Sequence, residues 1–425
     1  MKDAFTIDSR ARLYGRHMAS DRAVIAHVLR RTTFGPHPGQ VEEFVHLGAS
    51  DTIDALLRGP IELLPGGVID STTFDGSDKL ALWWLERMRQ PGTGVHEKLV
   101  WYWHGHFTSS LDKVPERLLW RQHNLLRRHA LGNFRALVQA ITIDPAMLRY
   151  LDGDGSRGDA PNENYARELM ELFCLGSGNY TEDDVRAAAH VFAGWRVDDQ
   201  KGTAAFDPEA GYDRPVTFFG RRQRWSARDI VDAIVDHPAC ARHVARRLWA
   251  FYVATPLSDA RLEELAQTFR STNLDIKALI EAILRSSEFL DARHARARQP
   301  LEWLLATLAV TGATTRKMDL DWFEQLGQAP FRPPNVAGWS LDNRWVSAGQ
   351  VLLRTSVMAG ITLDKTVIDR VAPDTAAVLA QCGIYDASPT TYAAMESARK
   401  AQTEFDRGLE LLLALAVTTP EFSLA

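Results

Sequence analysis

NENYARELMELF, residues 162–173, is the stretch that decides the fold, because it predicts a helix with two different faces. Asn164, Arg167, Glu168 and Glu171 are spaced i, i+3, i+4 and i+7, and on a helix they fall within an arc of roughly 100°. Most of the remaining positions are apolar. A narrow polar stripe on such a helix indicates a charged edge that faces a cleft.

Helix signals dominate the rest of the sequence. Thr181 before three acidic residues, Ser226 before Asp229, and Pro238 are typical of helix starts. Only residues 203–220 alternate as a strand does, around turn-forming residues, and they predict a small hairpin. We therefore predict a mainly α fold, a single large multi-helix domain over residues 1–425 with one small β-hairpin insertion at 203–220. The predicted helices cover 21–29, 37–44, 78–90, 95–107, 115–130, 185–195, 230–235, 238–252, 259–269, 276–289, 300–311, 349–362 and 392–417.

Composition narrows the classes of function. The 425 residues are 45% hydrophobic and carry a net charge of -5, and the basic residues occur as doublets without interleaved aromatics, so a nucleic-acid partner is not predicted. No apolar run is long enough to span a membrane. Residues 1–20 contain no secretory signal, which predicts a cytoplasmic protein. The three cysteines are far apart, so neither a disulfide framework nor a cysteine metal knuckle is expected.

A second segment, WYWHGHFTSS at residues 101–110, contains two histidines. In a continuous helix His104 and His106 lie about 200° apart and cannot share a ligand. Gly105 is a plausible helix end, which would let His106 turn back. His104 and His106 with Glu168 and Glu171 would then form a nitrogen and oxygen set suited to a divalent metal such as zinc, iron or manganese. The alternative is that both histidines are interfacial or hydrogen-bonded core residues.

The polar stripe also has a catalytic and a structural interpretation. In the catalytic one, Glu168 acts as general acid or base or as a metal ligand, Glu171 supports it, and Arg167 or His106 tunes its pKa. Asn164 and the upstream Asp152 would contact the substrate. In the structural one, Arg167 and Glu171 form an ordinary intrahelical ion pair.

A third segment, FRPPNVAGW at residues 331–339, predicts an irregular loop rich in proline and aromatic residues. Trp339 could stack on a sugar ring or another flat ligand, with Asn335 as a neighbouring substrate contact. The alternative is a long loop wedged onto the core.

Taken together, these segments resemble the bacterial family catalogued as domain of unknown function 1800. The matching pieces run in order along nearly the whole chain, at 29–36 (LRRTTFGP), 103–110 (WHGHFTSS), 129–134, 145–147, 150–152, 162–173, 194–195, 333–339 (PPNVAGW) and 419–422. The resemblance implies a predominantly helical protein. Many members look exported and are encoded beside a family that resembles sulfatases and phosphatases. This chain lacks an evident export signal, and it has Gly211-Tyr212-Asp213-Arg214 where members often carry a His-Asp pair.

Two hypotheses follow. The leading one is a hydrolase of a glycan, an ester or another small molecule, with its site between the two histidines and the polar stripe, with or without a bound divalent metal. The alternative is a non-catalytic binding or assembly protein. In that case the stripe is a structural ion-pair network and the Trp339 loop contacts a protein partner.

Overall fold

A computed structural model describes residues 21–59, 77–92, 94–313, 320–372, 374–401 and 405–425. The fold is mainly α-helical, as predicted. The first helix, α1, covers residues 21–32. The next helices are α2 Gln40–Phe44, α3 Gly48–Leu57, α4 Ser77–Arg89, α5 Gly94–His106, α6 Glu116–His129, α7 Phe134–Thr142, α8 Pro145–Tyr150, α9 Asn164–Glu168 and α10 Glu182–Phe192.

The helices of the second half follow a short β region. They are α11 Ala227–Asp236, α12 Pro238–Tyr252, α13 Asp259–Ser271, α14 Ile276–Leu284, α15 Ser287–Asp291, α16 Pro300–Thr311, α17 Asp321–Gln325, α18 Ala348–Ala359, α19 Lys365–Arg370, α20 Thr375–Gln381, α21 Pro389–Ala401, α22 Phe405–Thr418 and α23 Pro420–Ser423. Three predicted helix starts are confirmed. Thr181 and Ser226 each form a capping box with an aspartate three residues later, and Pro238 is the first residue of α12.

Within the described residues, the β structure consists of two hairpins where one was predicted. Strand β1 (Trp195–Asp198) pairs antiparallel with β2 (Thr203–Phe206), and β3 (Val216–Phe218) pairs antiparallel with β4 (Arg221–Gln223). The predicted range 203–220 contains β2 and β3, which do not pair with each other. Each instead pairs with the neighbouring strand across a tight turn containing a glycine at positive φ, Gly202 or Gly220.

Helix α5 lies in the interior of the molecule. Every one of its residues except Gly105 is buried, and it contributes two of the large core tryptophans, Trp101 and Trp103. Such an all-round buried helix is typical of a core position. The helix continues through Gly105, and Phe107 N donates to Trp103 O over 2.8 Å. The prediction that Gly105 ends this helix is therefore wrong. The burial of the residues on both sides of Gly105 holds it in helical geometry despite its low intrinsic helix propensity.

Buried ion pairs cross this core. The Glu302 carboxylate on α16 accepts hydrogen bonds from Lys98 on α5 and from Arg296, the latter over 2.7 Å to each oxygen. All three side chains are almost fully buried. In the described part of the chain, no helix is long and apolar enough to cross a membrane. The single-domain organisation remains a prediction.

Candidate functional site

The predicted polar-stripe helix changes geometry in its middle. Helix α9 ends at Glu168, and residues Leu169–Cys174 continue as a π-helical turn, in which Leu175 N donates to Met170 O, five residues back, over 2.8 Å. The regular α spacing from which the stripe was predicted therefore stops at Glu168. Single π-helical turns are rare and frequently occur at functional sites.

Two histidines hold the end of the π-helical turn. His106 Nε2 lies 2.9 Å from the carbonyl oxygen of Phe173, and His243 Nε2 lies 2.9 Å from that of Leu172. A carbonyl can only accept, so Nε2 carries the proton in both rings. Burial lowers the pKa of His106 far below its usual range and that of His243 to about 4, which keeps both rings neutral. These imidazoles satisfy carbonyls that the end of the helix leaves without a partner.

His104 fixes a different segment. Its Nε2 accepts a hydrogen bond from Phe331 N over 3.1 Å, and burial lowers its pKa to about 3. It therefore anchors the first residue of the 331–339 loop, which has a positive φ of 62°. His104 contacts the 331–339 loop and His106 contacts the π-helical turn, so the two side chains point to different sides of α5, as their spacing in a continuous helix requires. Among the described residues no three His, Cys, Asp or Glu side chains form a group that could hold a metal ion, so the four predicted ligands are not brought together.

The 331–339 loop packs against the end of α5. Thr108 Oγ1 donates to Val336 O over 2.6 Å, and the Asn335 side chain accepts from Ala337 N within a local turn. Trp339 is only 6% exposed and stacks on Trp101 with ring centroids 4.8 Å apart. These contacts agree with the alternative of a loop wedged onto the core. A substrate role for Asn335 and Trp339 remains a prediction.

Glu168 and Glu171 lie in different environments. The Glu171 carboxylate accepts hydrogen bonds from Tyr180 Oη over 2.8 Å and from Ser177 Oγ over 3.1 Å. Glu168 is half-buried, and the described part of the chain gives it no hydrogen-bond donor. Partial burial and the nearby Glu171 charge raise the pKa of Glu168, and Arg167 opposes the rise. One carboxylate is thus fixed as an acceptor, and the pKa of its neighbour is raised.

Arg167 does not pair with Glu171 as the structural interpretation predicted. It donates to Glu182 at the start of α10 over 2.7 and 2.8 Å, and to Glu163 over 3.0 Å. The charge of Glu182 and its hydrogen bonds raise the pKa of Arg167 further. The intrahelical i, i+4 pair that does form is therefore Glu163–Arg167.

Asp152 and Asn164, the remaining predicted substrate contacts, lie beside the Glu163–Arg167 ion pair. Asp152, a non-glycine residue at a positive φ of 58°, is paired with Lys113 over 2.6 Å and lies 3.4 Å from Asn164 Nδ2. Burial raises the pKa of Tyr150, and the charge of Glu168 adds to that rise. The segments 108–113, 150–152 and 162–173 thus form one surface, which we call the acidic surface and define by Asp112, Asp152, Glu168 and Glu171.

Sequence reasoning missed His243 and placed no weight on Tyr180 or Ser177. His243 lies more than 70 residues from the carbonyl it contacts, and no spacing along the chain signals such a pairing. The 211–214 segment, where family members often carry a His-Asp pair, places Tyr212 against the His190 ring with centroids 4.4 Å apart. Its Asp213 forms an exposed ion pair with Arg224.

The comparisons with known proteins agree with the ordered motifs. A family model described as "Protein of unknown function (DUF1800)" matches residues 27–424, nearly the whole chain. Neither a curated protein nor a solved structure shows significant similarity to the sequence. The family match covers every matching segment named above, from LRRTTFGP to residues 419–422. The chain therefore belongs to the DUF1800 family.

Proposed function

We propose that the protein is a hydrolase in which Glu168 is the general acid and Glu171 the partner carboxylate. One observation carries the proposal. Two neighbouring carboxylates lie in different environments: two hydroxyl groups donate hydrogen bonds to Glu171, whereas partial burial and the charge of Glu171 raise the pKa of Glu168. Enzymes use such differences in environment to give chemically identical groups different roles. Both residues belong to the segment at 162–173 that marks the family.

The chemistry of such a pair is hydrolysis of a glycosidic or ester bond. The raised pKa of Glu168 retains its proton nearer neutrality, and the proton is passed to the leaving-group oxygen. Glu171, held by Tyr180 and Ser177, accepts a hydrogen bond from the attacking water. Most glycoside hydrolases also use a pair of carboxyl groups, one of which supplies the proton.

The charges of the acidic surface limit the substrate class. Asp112 and Asp152 are ion-paired with Arg332 and Lys113, so Glu168 and Glu171 are the carboxylates that disfavour an anionic substrate by like-charge repulsion. Asn164, which is exposed, and Lys113 offer donors to hydroxyl or carbonyl oxygens. A neutral glycan or a small neutral ester therefore fits this surface better than a phosphorylated or nucleic-acid substrate.

A non-catalytic binding or assembly role is the second candidate, and the histidine contacts favour it. His104 and His106 are both neutral, buried and bonded to main-chain atoms, so these two motif residues serve packing. Arg167 is likewise committed to ion pairs with Glu163 and Glu182. In this candidate Glu168 has no chemical role.

The test is a panel of chromogenic aryl glycosides and aryl esters assayed with wild type, Glu168→Gln and Glu163→Gln. Glu163 is the matched control because it lies on the same segment, is also half-buried and carries the same charge. We expect Glu168→Gln to lower kcat/KM by about 10²–10⁴-fold, the usual contribution of general acid–base catalysis, with Glu163→Gln within a few-fold of wild type.

The stability of the variants separates catalysis from folding. Because burial and Glu171 disfavour the charged form of Glu168, Glu168→Gln is expected to unfold at the same temperature as wild type or higher. Equal turnover by wild type and Glu168→Gln, or no turnover of any panel member by the folded wild type, would favour the binding-protein candidate.

A further inference from the structure

We propose that a recess beside α5, separate from the acidic surface, binds the carboxylate group of a small organic acid. The recess lies between α5, α12 and the 331–341 segment; its enclosed part has room for a water-sized group, and the empty space is about 280 Å³ when the part open to solvent is included. Its walls include Trp101, Tyr102, Arg247, Trp339 and Leu341. It contains no residue of the acidic surface, so its test does not depend on the proposed hydrolase.

Three buried polar atoms on the walls lack partners. Tyr102 Oη, Trp339 Nε1 and Arg247 Nε each lack a well-formed hydrogen bond within the described part of the chain, although the Arg247 guanidinium lies close enough to Tyr102 to lower the pKa of its hydroxyl against the effect of burial. Tyr102 is 3% exposed and Trp339 is 6% exposed. A buried donor left unsatisfied costs about 1–3 kcal/mol. Three such atoms around one recess indicate that another group completes their hydrogen bonding, and all three can donate to an acceptor.

The charge of Arg247 indicates that this group is an anion. In the described part of the chain no carboxylate lies within ion-pair distance of Arg247, which is half-buried. Its nearest titratable neighbours are Tyr102, His106 and His243, and its positive charge lowers the pKa of both histidines. Burial raises the pKa of Tyr102 to about 12, so its hydroxyl keeps the proton that it would donate. A half-buried guanidinium without a counter-charge is costly, and an anion removes that cost.

The shape and composition of the recess favour a carboxylate among the anions. A guanidinium matches the two coplanar oxygens of a carboxylate. The aromatic and aliphatic walls, with Phe251 and Leu341 beside the tryptophans, suit an apolar or ring-shaped body attached to that group. A single guanidinium provides too little positive charge for a phosphate dianion. An aromatic acid and a sugar acid share this chemistry, and the experiment distinguishes them.

The experiment follows the indole N–H of Trp339 in ¹H–¹⁵N spectra of the full-length protein, with the signal assigned by its absence in Trp339→Phe. Benzoate, glucuronate, inorganic phosphate and chloride are titrated separately. We expect a saturable downfield shift with benzoate, glucuronate or both, as the free N–H acquires an acceptor, and at least tenfold weaker effects of phosphate and chloride. A response to benzoate alone assigns an aromatic acid, and a response to glucuronate alone assigns a sugar acid.

Three variants control the experiment. Arg247→Gln is expected to weaken the response at least tenfold. Arg246→Gln, which removes the same charge from the exposed neighbouring position, is expected to leave it unchanged. Tyr102→Phe removes only the hydroxyl and is expected to weaken binding severalfold, which keeps the proposal testable if Arg247→Gln fails to fold. The absence of a saturable shift, an equal shift with chloride, or an undiminished shift in both variants would overturn the proposal and assign the three atoms to a buried water.

Discussion

Replacing Gly338 by alanine is expected to damage the fold severely, although only one methyl group is added. Gly338 belongs to the PPNVAGW segment and has a φ of +76°. A Cβ atom built there would lie 2.0 Å from the carbonyl oxygen of Gly105 on α5. The obstacle is main chain at the end of a fully packed helix, so no side-chain rotation relieves the contact.

The magnitude follows from two costs. An L residue in the left-handed region loses about 1–2 kcal/mol relative to its usual conformation. Forcing extra volume into a packed interior costs typically about 1–3 kcal/mol. Gly338→Ala should therefore lower the free energy of unfolding by about 2–5 kcal/mol. With a urea dependence of about 3 kcal/mol per molar, the midpoint of unfolding falls by roughly 1 M.

Gly105→Ala is the matched control, because the same methyl group is added on the other side of the same contact. Its Cβ would lie 3.5 Å from the Trp339 ring, an ordinary van der Waals distance. Since Gly105 is inside a helix, alanine there is expected to gain about 0.5–1 kcal/mol. Both variants are measured by urea unfolding followed by circular dichroism. Equal midpoints for Gly338→Ala and wild type, or a comparable loss in Gly105→Ala, would refute the assignment of this contact.

Two further predictions concern buried charges. Glu302→Gln should lower the free energy of unfolding, measured in urea, by about 3–5 kcal/mol, because Lys98 and Arg296 lose their only close carboxylate among the described residues. Glu263→Gln on the exposed surface is the control and should leave the midpoint of unfolding unchanged. Equal effects of the two substitutions would contradict the buried triad. Burial raises the pKa of Asp144 to about 7, so the folded state binds this proton more tightly than the unfolded state does. The free energy of unfolding of wild type should therefore fall by about 4 kcal/mol from this group as the pH rises from 4 to 7. Asp144→Asn should gain stability relative to wild type between pH 4.5 and 7.5, and a difference that stays constant with pH would exclude the raised pKa.

Local sequence signals predicted the helix starts well. Thr181 and Ser226 cap their helices through contacts that span only three residues, so the residues that form the motif also form the structure. Asp144 likewise caps α8 by accepting a hydrogen bond from Met147 N, three residues later. The fold class followed from the same local signals summed along the chain. The pairing of the strands did not follow from local signals, because β1 and β4, the partners of β2 and β3, lie outside the predicted range.

The sequence allowed us to predict which residues belong to the candidate site, but it did not allow us to predict how their side chains are arranged. Gly105 carries a helix-ending signal that burial overrides, and the π-helical turn after Glu168 removes the spacing on which the polar stripe rested. The partner of Arg167 is Glu182 on the next helix instead of Glu171. In each case a contact between residues distant in sequence outweighed a local preference. A single sequence does not show such contacts.

The motif residues fall into two groups, according to whether contacts within the fold already satisfy the hydrogen-bonding groups of their side chains. His104, His106 and Thr108 each bond to one main-chain atom, which joins the 103–110 segment to the loop at 331–339 and to the π-helical turn. Such residues preserve the arrangement of the three segments, and their replacement would disturb folding before it disturbed chemistry. Trp339 belongs to the 331–339 loop but keeps its buried Nε1 without a partner among the described residues. Because leaving a buried donor unsatisfied costs free energy, a ligand that accepts a hydrogen bond from this atom would be stabilised there, whereas half-buried Glu168 is accessible to solvent.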